Sequence, residues 1–382
     1  MTQQPPSLGI YIHIPFCRAK CNYCAFVSQV GNEELQQAYV AALCREITAA
    51  GGDFSAFTVD SLFFGGGTPT VLSVEQLAQI LQTLRKNFVL SADVEINIEA
   101  NPGTVSLTPL KLLRQQGFNR LSLGVQSFDD TVLTAVGRMH RADEAKNAFK
   151  QARQAGFDNI GLDLIYGLPK QTTASWQETL VQAVDLNPEH ISAYGLKLEG
   201  GTPLAAAVDA GEMTLPSEEA EEEMYDLLNE LLPLHGYQRY EIANYATSGR
   251  QCRHNLKYWR SLPFRGFGLA AHSFDGRQRF ANTENLGEYI ERIRDGLSVE
   301  VVRETLDEAV VIGEYVFTAL RLAQGMRFDE FHARFGQEFN QLFAEPLARL
   351  EKMKLIDQTD QVVFLTPLGM KFGNRVFAEF LP

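Results

Sequence analysis

No run of 18 apolar residues interrupts this chain, and nowhere do lysine and arginine cluster densely enough to build a basic face. The first absence excludes a membrane-spanning helix, which needs about 20 consecutive apolar residues. The second, with a net charge of −13, argues against nucleic acid as a partner, because a polyanion binder carries a positive footprint. Met1–Pro6 has neither a cationic start nor the apolar core of a secretion signal, so a cytoplasmic location is expected. Cysteine is scarce too: five thiols in 382 residues, an odd number, do not make a disulfide framework and fit a reducing compartment. Core-forming residues are plentiful. Apolar side chains make up 45% of the chain and charged ones 21%, which rules out a mainly disordered protein and provides for two or three domains.

Three of the five cysteines fall within eight residues, Cys17-Arg18-Ala19-Lys20-Cys21-Asn22-Tyr23-Cys24, directly after the strand-like run Gly9–Ile14. A structural zinc site needs a fourth ligand, usually from a second Cys/His pair, and none follows at zinc-ribbon or finger spacing. Three thiolates suit a 4Fe-4S cluster with one iron left open for chemistry. Zinc and unrelated thiols remain the alternatives to that reading. Cys44 sits mid-helix and reads as inert.

Downstream the pattern is β, loop, α, repeated. Leu35, Tyr39, Leu43 and Ile47 make one helical stripe that stops at Gly51-Gly52. A β-rich run, Val59–Phe64, ends in Gly65-Gly66-Gly67-Thr68-Pro69, and Ser73 with Gln76 forms a capping box for the next helix. Further strands are expected at Val94–Ile98, Arg120–Val125, Asn159–Ile165 and His190–Leu196, with helices between them, so six βα-like units imply a parallel sheet.

Side chains alternate along a strand, so each face can be read separately. Ile10, Ile12 and Ile14 oppose Tyr11 and His13, and Ile96 and Ile98 oppose Glu95, Asn97 and Glu99. Leu121, Leu123 and Val125 oppose Ser122, Gly124 and Gln126, while Leu162 and Leu164 oppose Asp163. A two-faced α/β sheet would be apolar on both sides, and a closed eight-stranded barrel fills its interior with Val, Ile and Leu. The pattern predicts an α/β fold in which six strands curl into an open, partial barrel around a polar ligand, solvent-facing strands being the plainer alternative.

Past residue 200 the pattern changes. Ser217 and an acidic run open a helix, and residues 240–290 hold short aromatic- and glycine-rich segments, including His254-Asn255-Leu256-Lys257-Tyr258-Trp259. From about Glu304 the chain turns helical. A β-hairpin, Lys354–Asp357 to Val363–Thr366, precedes a last helix, Pro367–Phe380, which suggests a small winged-helix-like domain in a docking role.

The cysteine loop, Gly-Gly-Gly-Thr-Pro and the partial barrel together resemble the radical S-adenosylmethionine (SAM) superfamily. Within it the chain is similar to the oxygen-independent coproporphyrinogen oxidase (HemN) group, and most closely to its HemW heme-chaperone branch. The likeness runs through Tyr11–Cys17, Glu99-Ala100-Asn101-Pro102, Gly124-Val125-Gln126-Ser127-Phe128, Asp163–Pro169 and His254–Trp259. It implies that Cys17, Cys21 and Cys24 bind a 4Fe-4S cluster whose open iron is capped by SAM. It further implies that Gly66, Gly67 and Thr68 let bare backbone approach the methionine part of SAM, and that Glu99, Gln126 and Asp163 contact SAM. Tyr11 and Tyr23 would line the same cavity, and Arg138 would stand near the SAM carboxylate. His13 faces the lumen as a core histidine or a ligand. Residues 1–235 would then be the radical SAM partial barrel, 236–300 a HemN-like connecting region, and 301–382 the C-terminal winged-helix-like domain.

Two departures separate the chain from the oxidases: Phe26 stands where they carry a further cysteine, and they have a longer segment ahead of the cluster loop. Ala25 also departs from the acidic residue often found beside the third cysteine in the chaperone branch. The resemblance implies that heme is bound and passed to respiratory hemoproteins, with a homodimer and peripheral membrane contact through the recipients. The rival is a radical enzyme acting on a tetrapyrrole; a winged-helix regulator is disfavoured by the acidic charge. His254, beside Tyr258 and Trp259, is a heme-ligand candidate with Cys252 as its rival, unless the stretch merely anchors the C-terminal region.

Overall fold

The computed structural model describes residues 6–381. The reading of the N-terminus on Met1–Pro6 falls almost wholly outside that range. Six parallel strands form in the expected places: β1 (Ser7–Ile14), β2 (Thr58–Gly66), β3 (Leu90–Ala100), β4 (Arg120–Gln126), β5 (Ile160–Tyr166) and β6 (His190–Gly195). They lie in sequence order with a helix crossing over between each pair. Their aliphatic faces, Ile10, Ile12, Ile14, Ile98, Leu121, Leu123, Leu162 and Leu164, are completely buried against those helices. This is the expected open, partial barrel with helices outside.

Local signals place the helices. Asn32 caps Glu33–Ala50 by accepting from the Leu35 N–H, acidic Glu33 and Glu34 occupy its first turn, and Tyr39, Leu43 and Ile47 form its buried stripe. Ser73 and Gln76 make the expected capping box on Val74–Asn87. Each cap satisfies backbone donors that a helix start leaves unpaired.

The sheet does not stop at six strands. The segments expected over about 240–290 only as short and aromatic-rich supply β7 (Gln238–Glu241), β8 (Asn244–Ala246), β9 (Phe264–Phe267), β10 (His272–Phe274) and β11 (Gln278–Asn282). An unexpected strand, β12 (Glu300–Thr305), follows and runs past Glu304, where helix is expected to begin. The strand order is β12-β11-β10-β9-β1-β2-β3-β4-β5-β6-β8-β7, so this region covers both open edges of the partial barrel, edges that would otherwise present unpaired backbone. A buried carboxylate ties the β9 side down: Glu46 accepts from Tyr289 Oη at 2.6 Å, Gly268 N at 2.8 Å and Asn282 Nδ2 at 2.7 Å.

A second core of Val316, Leu320, Phe331, Leu350, Val363 and Val376 organises the C-terminal part around β13 (Met326–Arg327), β14 (Ile356–Gln358) and β15 (Val362–Leu365), the last two being the expected hairpin. The single terminal helix expected over Pro367–Phe380 is instead two short ones, Pro367–Lys371 and Gly373–Ala378. Phe372 breaks the helix with φ −107° and ψ 30°, which leaves its own ring half exposed while Phe377 and Phe380 turn into the core. The unit docks on the barrel through Arg321 stacked 4.4 Å over the Trp259 ring and Lys371 bonded to Glu222 and Asp226. No helix among the described residues is long and apolar enough to cross a membrane.

Candidate functional site

The polar faces of β3–β6 enclose a cavity of about 620 Å³ that opens beneath the cysteine loop. Cys17, Cys21, Tyr23, Cys24, Gly66, Gly67, Thr68, Glu99, Gln126, Arg138 and Asp163 all line it. Residues from six separate stretches of sequence thus meet around one space. Three of the sequence-derived candidates do not line it, Tyr11, His13 and His254.

The cysteine loop is held from three sides. Cys17 N donates to Gln29 O at 3.0 Å and Gln29 N to Pro15 O at 2.8 Å, closing the loop on β1. Asn22 N donates to Val136 O, and Asn22 O accepts from Leu204 N at 2.9 Å. His13, buried, bonds the Val27 carbonyl through Nε2 at 2.8 Å and the Tyr11 hydroxyl through Nδ1 at 3.1 Å. Both ring nitrogens are engaged, so His13 braces the loop from below. The three thiols are half-buried and unpaired. Thr68 Oγ1 reaches Cys17 Sγ at 3.6 Å and Arg138 Nη1 reaches Cys21 Sγ at 3.3 Å. Burial pushes the Cys24 thiol up, and the other two sulfurs add to this.

The donor set fits an iron–sulfur cluster: three thiols on one loop, hydrogen-bond donors aimed at two of them, and a polar lumen beneath. Among the described residues no three His, Cys, Asp or Glu side chains converge on a point where they could hold a single ion. A polynuclear cluster accepts thiolates spread wider than the ligand shell of about 2.3 Å around one zinc.

The glycine loop is shaped by close approach. A Cβ on Gly67 would stand 2.6 Å from Phe16 O, and Gly66 has φ +107° with His13 ring atoms 2.6 Å from where its Cβ would be. Bare backbone is required there by the chain itself, and it leaves Gly66 and Gly67 facing the lumen. Gly66 N donates to Glu99 Oε2 at 3.3 Å. Gln126 adopts φ +67° at the end of β4, an unusual conformation for a side-chain-bearing residue and one that concentrates at binding sites.

Two carboxyls share the lumen. Burial, and then the nearby Asp163, pushes Glu99 up to about 8. Asp163 is raised as well by burial, against the pull of Ser192 and of Ser122 Oγ, which donates to its Oδ2 at 2.8 Å. A site that strains to hold two anions favours a cationic ligand.

His254 requires a correction. It is fully buried and stacked on Phe63 at 5.2 Å, its Nδ1 bonds Ser61 Oγ at 3.1 Å, and its Nε2 bonds Tyr258 Oη at 2.8 Å. Burial and then the Lys257 charge push it down to about 3. No ring nitrogen is left for iron, and the stretch forms the joint that carries Trp259 to Arg321. Tyr11 packs below the lumen against Phe63 and His13. The sequence reading missed Arg120, His190, Ser192 and Tyr194, which also line the cavity. Carrying the period-2 alternation on into β6 would have found Ser192 and Tyr194, because Ile191 and Ala193 supply the buried face between them.

Comparison with known proteins agrees with this fold. The "Radical SAM superfamily" pattern matches residues 11–183 and the "HemN C-terminal domain" pattern residues 306–372. The protein named heme chaperone HemW of Bacillus subtilis (strain 168) is 36% identical over 373 residues, covering 97% of this chain and 98% of that protein. The protein of the same name in Escherichia coli (strain K12) is 36% identical over 354 residues, covering 82% of this chain and 92% of its own length. The solved structure of coproporphyrinogen III oxidase (HemN) from Escherichia coli, described as a radical SAM enzyme, superposes with a TM-score of 0.86 at 28% identity, covering 99% of this chain and 91% of that one.

Proposed function

Because this chain belongs to the HemW family, within the radical SAM superfamily, we propose that it is a heme chaperone that binds heme and passes it to respiratory hemoproteins. Cys17, Cys21 and Cys24 hold a 4Fe-4S cluster, and Glu99, Gln126, Asp163 and Arg138 hold SAM in the lumen beneath it. When bound, the cluster supplies an open iron and an electron. The residues of the chain do the rest. Gly66 and Gly67 present backbone to the methionine end, Gln126 and Asp163 present polar side chains along the strands, and Glu99 meets the cationic ligand as a carboxylate. Arg138 and Thr68 donate to the Cys21 and Cys17 sulfurs that would hold the cluster, and Tyr23 lines the cavity beside them.

One observation of the structure carries the chaperone reading over an oxidase: Phe26, 67% exposed, stands at the cavity mouth where the oxidases place a further cysteine. Tyr194, 44% exposed, lines the same cavity, so two exposed aromatic rings are available to a flat apolar ligand. A macrocycle resting there stays within reach of a recipient. The test is anaerobic incubation of cluster-loaded protein with coproporphyrinogen, SAM and reductant, alongside hemin titration. Hemin binding without carbon dioxide release supports the chaperone; carbon dioxide formed together with 5′-deoxyadenosine assigns an oxidase instead.

A further inference from the structure

Below the row of Glu99 and Asp163 the lumen continues into a floor for which cluster and SAM binding give no use. Its most unusual member is Asn97, on the lumen face of β3, two residues before Glu99 and so roughly 7 Å deeper. Asn97 is completely buried, yet neither Oδ1 nor Nδ2 meets a partner among the described residues. A buried amide with both ends unpaired is a costly arrangement that calls for an occupant.

Its neighbour supplies charge. Arg120 is paired in register with Asn97, so the two side chains stand together on the same face. Arg120 is 2% exposed and bonds only neutral groups, Asn159 Oδ1 and the Arg250 carbonyl, both through Nη1 at 3.1 Å. No carboxylate among the described residues lies within ion-pair distance of it, whereas buried charges are as a rule paired. The nearby Glu95 is engaged elsewhere, accepting from Arg253 N at 3.0 Å and His254 N at 3.3 Å.

Next to Arg120 is a notch made by a missing side chain. Gly161 on β5 lies in register between Ser122 and His190, and a Cβ there would stand 3.3 Å from His190 Nδ1, 3.5 Å from Ser122 Oγ and 3.7 Å from Arg120 Nη2. His190 Nδ1 has no partner, while its Nε2 meets Tyr240 Oη at 2.8 Å. Cys252 N donates to that same hydroxyl at 3.4 Å, which holds the ring so that the unpartnered Nδ1 faces the notch. Ser122 already donates to Asp163. The unpartnered atoms of Asn97 and His190 and the Arg120 cation therefore border one space, with the Asp163 carboxylate at its upper rim already bonded to Ser122.

We propose that this floor is a second ligand subsite, which holds the carboxylate arm of a tetrapyrrole that shares the lumen with SAM. The assignment of the arm to a tetrapyrrole rests on the heme-chaperone reading; the demand for an anionic oxygen rests on Asn97, Arg120, Gly161 and His190 alone. His190 lies four residues below Tyr194 on β6, roughly 13 Å of strand, which a macrocycle entering edge-on from the aromatic mouth with a propionate leading can span.

The test compares hemin with hemin dimethyl ester, whose propionates are blocked, on cluster-loaded full-length protein in the presence of SAM. Wild type should bind hemin at least about tenfold more tightly than the ester, the scale of a lost charged hydrogen bond. Gly161→Ala fills the notch at a backbone conformation that alanine adopts, with the His190 ring giving way by a few tenths of an ångström, and Asn97→Leu removes both unpaired groups while keeping the branched shape. Each should weaken hemin about tenfold while changing the ester by less than about twofold. Asn97→Leu should also leave the melting temperature of the ligand-free protein equal or higher, which separates a ligand site from a structural amide. Equal affinity of wild type for the two compounds, or equal losses for both in the variants, would mean that the floor holds only water and would overturn this assignment while leaving heme binding intact. Failure of wild type to bind either compound overturns the heme-chaperone reading, and the tetrapyrrole assignment with it.

Discussion

Two short stretches of this chain pair cysteine with aromatic and basic residues, Cys17–Cys24 and Cys252–Trp259, and both border the same cavity. They differ in what is left free. In the first, three half-buried thiols line the cavity, and the backbone around them is satisfied by Gln29, Val136 and Leu204. In the second, burial and then Glu95 push Cys252 up to about 12, and His254 spends both nitrogens on Ser61 and Tyr258. The comparison shows that the residue types of a ligand do not make one: a ligand needs a free lone pair and an environment in which it can take its binding protonation state.

The sharpest way to break this comparison is to delete the thiols. Cys17→Ala, Cys21→Ala and Cys24→Ala should each abolish cluster incorporation, seen as loss of bound iron and of the visible iron–thiolate absorption, while Cys252→Ala and Cys44→Ala keep both. Equal iron content across the five variants would erase the distinction.

Stability should run the opposite way. His254→Ala removes a buried, stacked ring and leaves Ser61 and Tyr258 without their partner, so urea unfolding should show a loss of about 2–4 kcal/mol. Hemin affinity of the folded fraction should stay unchanged. A shifted Soret band with unaltered stability would restore His254 as a ligand.

The third test is pH. Glu99, raised to about 8, is mainly protonated at pH 7, and a cationic ligand favours its ionised form. SAM affinity should therefore rise with pH up to about 8, by at most about tenfold per pH unit, and binding at pH 7 should release a proton, measurable by calorimetry in buffers of different ionisation enthalpy. For the ligand-free protein the sign is reversed. The folded-state pKa lies above the unfolded value, so the contribution of Glu99 is most favourable below about 4.5 and is lost as pH rises through about 8. Glu99→Gln should flatten both profiles; a pH-independent SAM affinity in wild type would remove Glu99 from the site.

The smallest effect belongs to the joint. Trp259→Phe gives up part of the stack on Arg321 but also removes an indole N–H that has no partner among the described residues, so it should cost below about 1 kcal/mol and leave iron and SAM binding alone. Loss of SAM binding in that variant would show that the second stretch governs the lumen as well as the docking of the C-terminal unit.

Much of the molecule was legible before any coordinates, because its determinants are local. Spacing alone set the cysteine loop apart, the Ser73 and Gln76 capping box marked a helix start, and period-2 alternation separated the inner faces carrying Glu99, Gln126 and Asp163 from the outer ones. Each of these signals lies within about ten residues, the range over which backbone geometry fixes which way a side chain points. What only the tertiary structure decided was pairing over long range. Strands from residues 238–305 close both edges of the barrel because backbone groups at an open edge need partners wherever in the chain these lie. His254 loses its lone pairs to Ser61, 193 residues away in sequence, and to Tyr258. Asn97, Arg120, Gly161 and His190 become a floor only through the register of β3 to β6. A sequence states which groups can bond; whether a group is still free to do so depends on its neighbours in space, and those are chosen by packing.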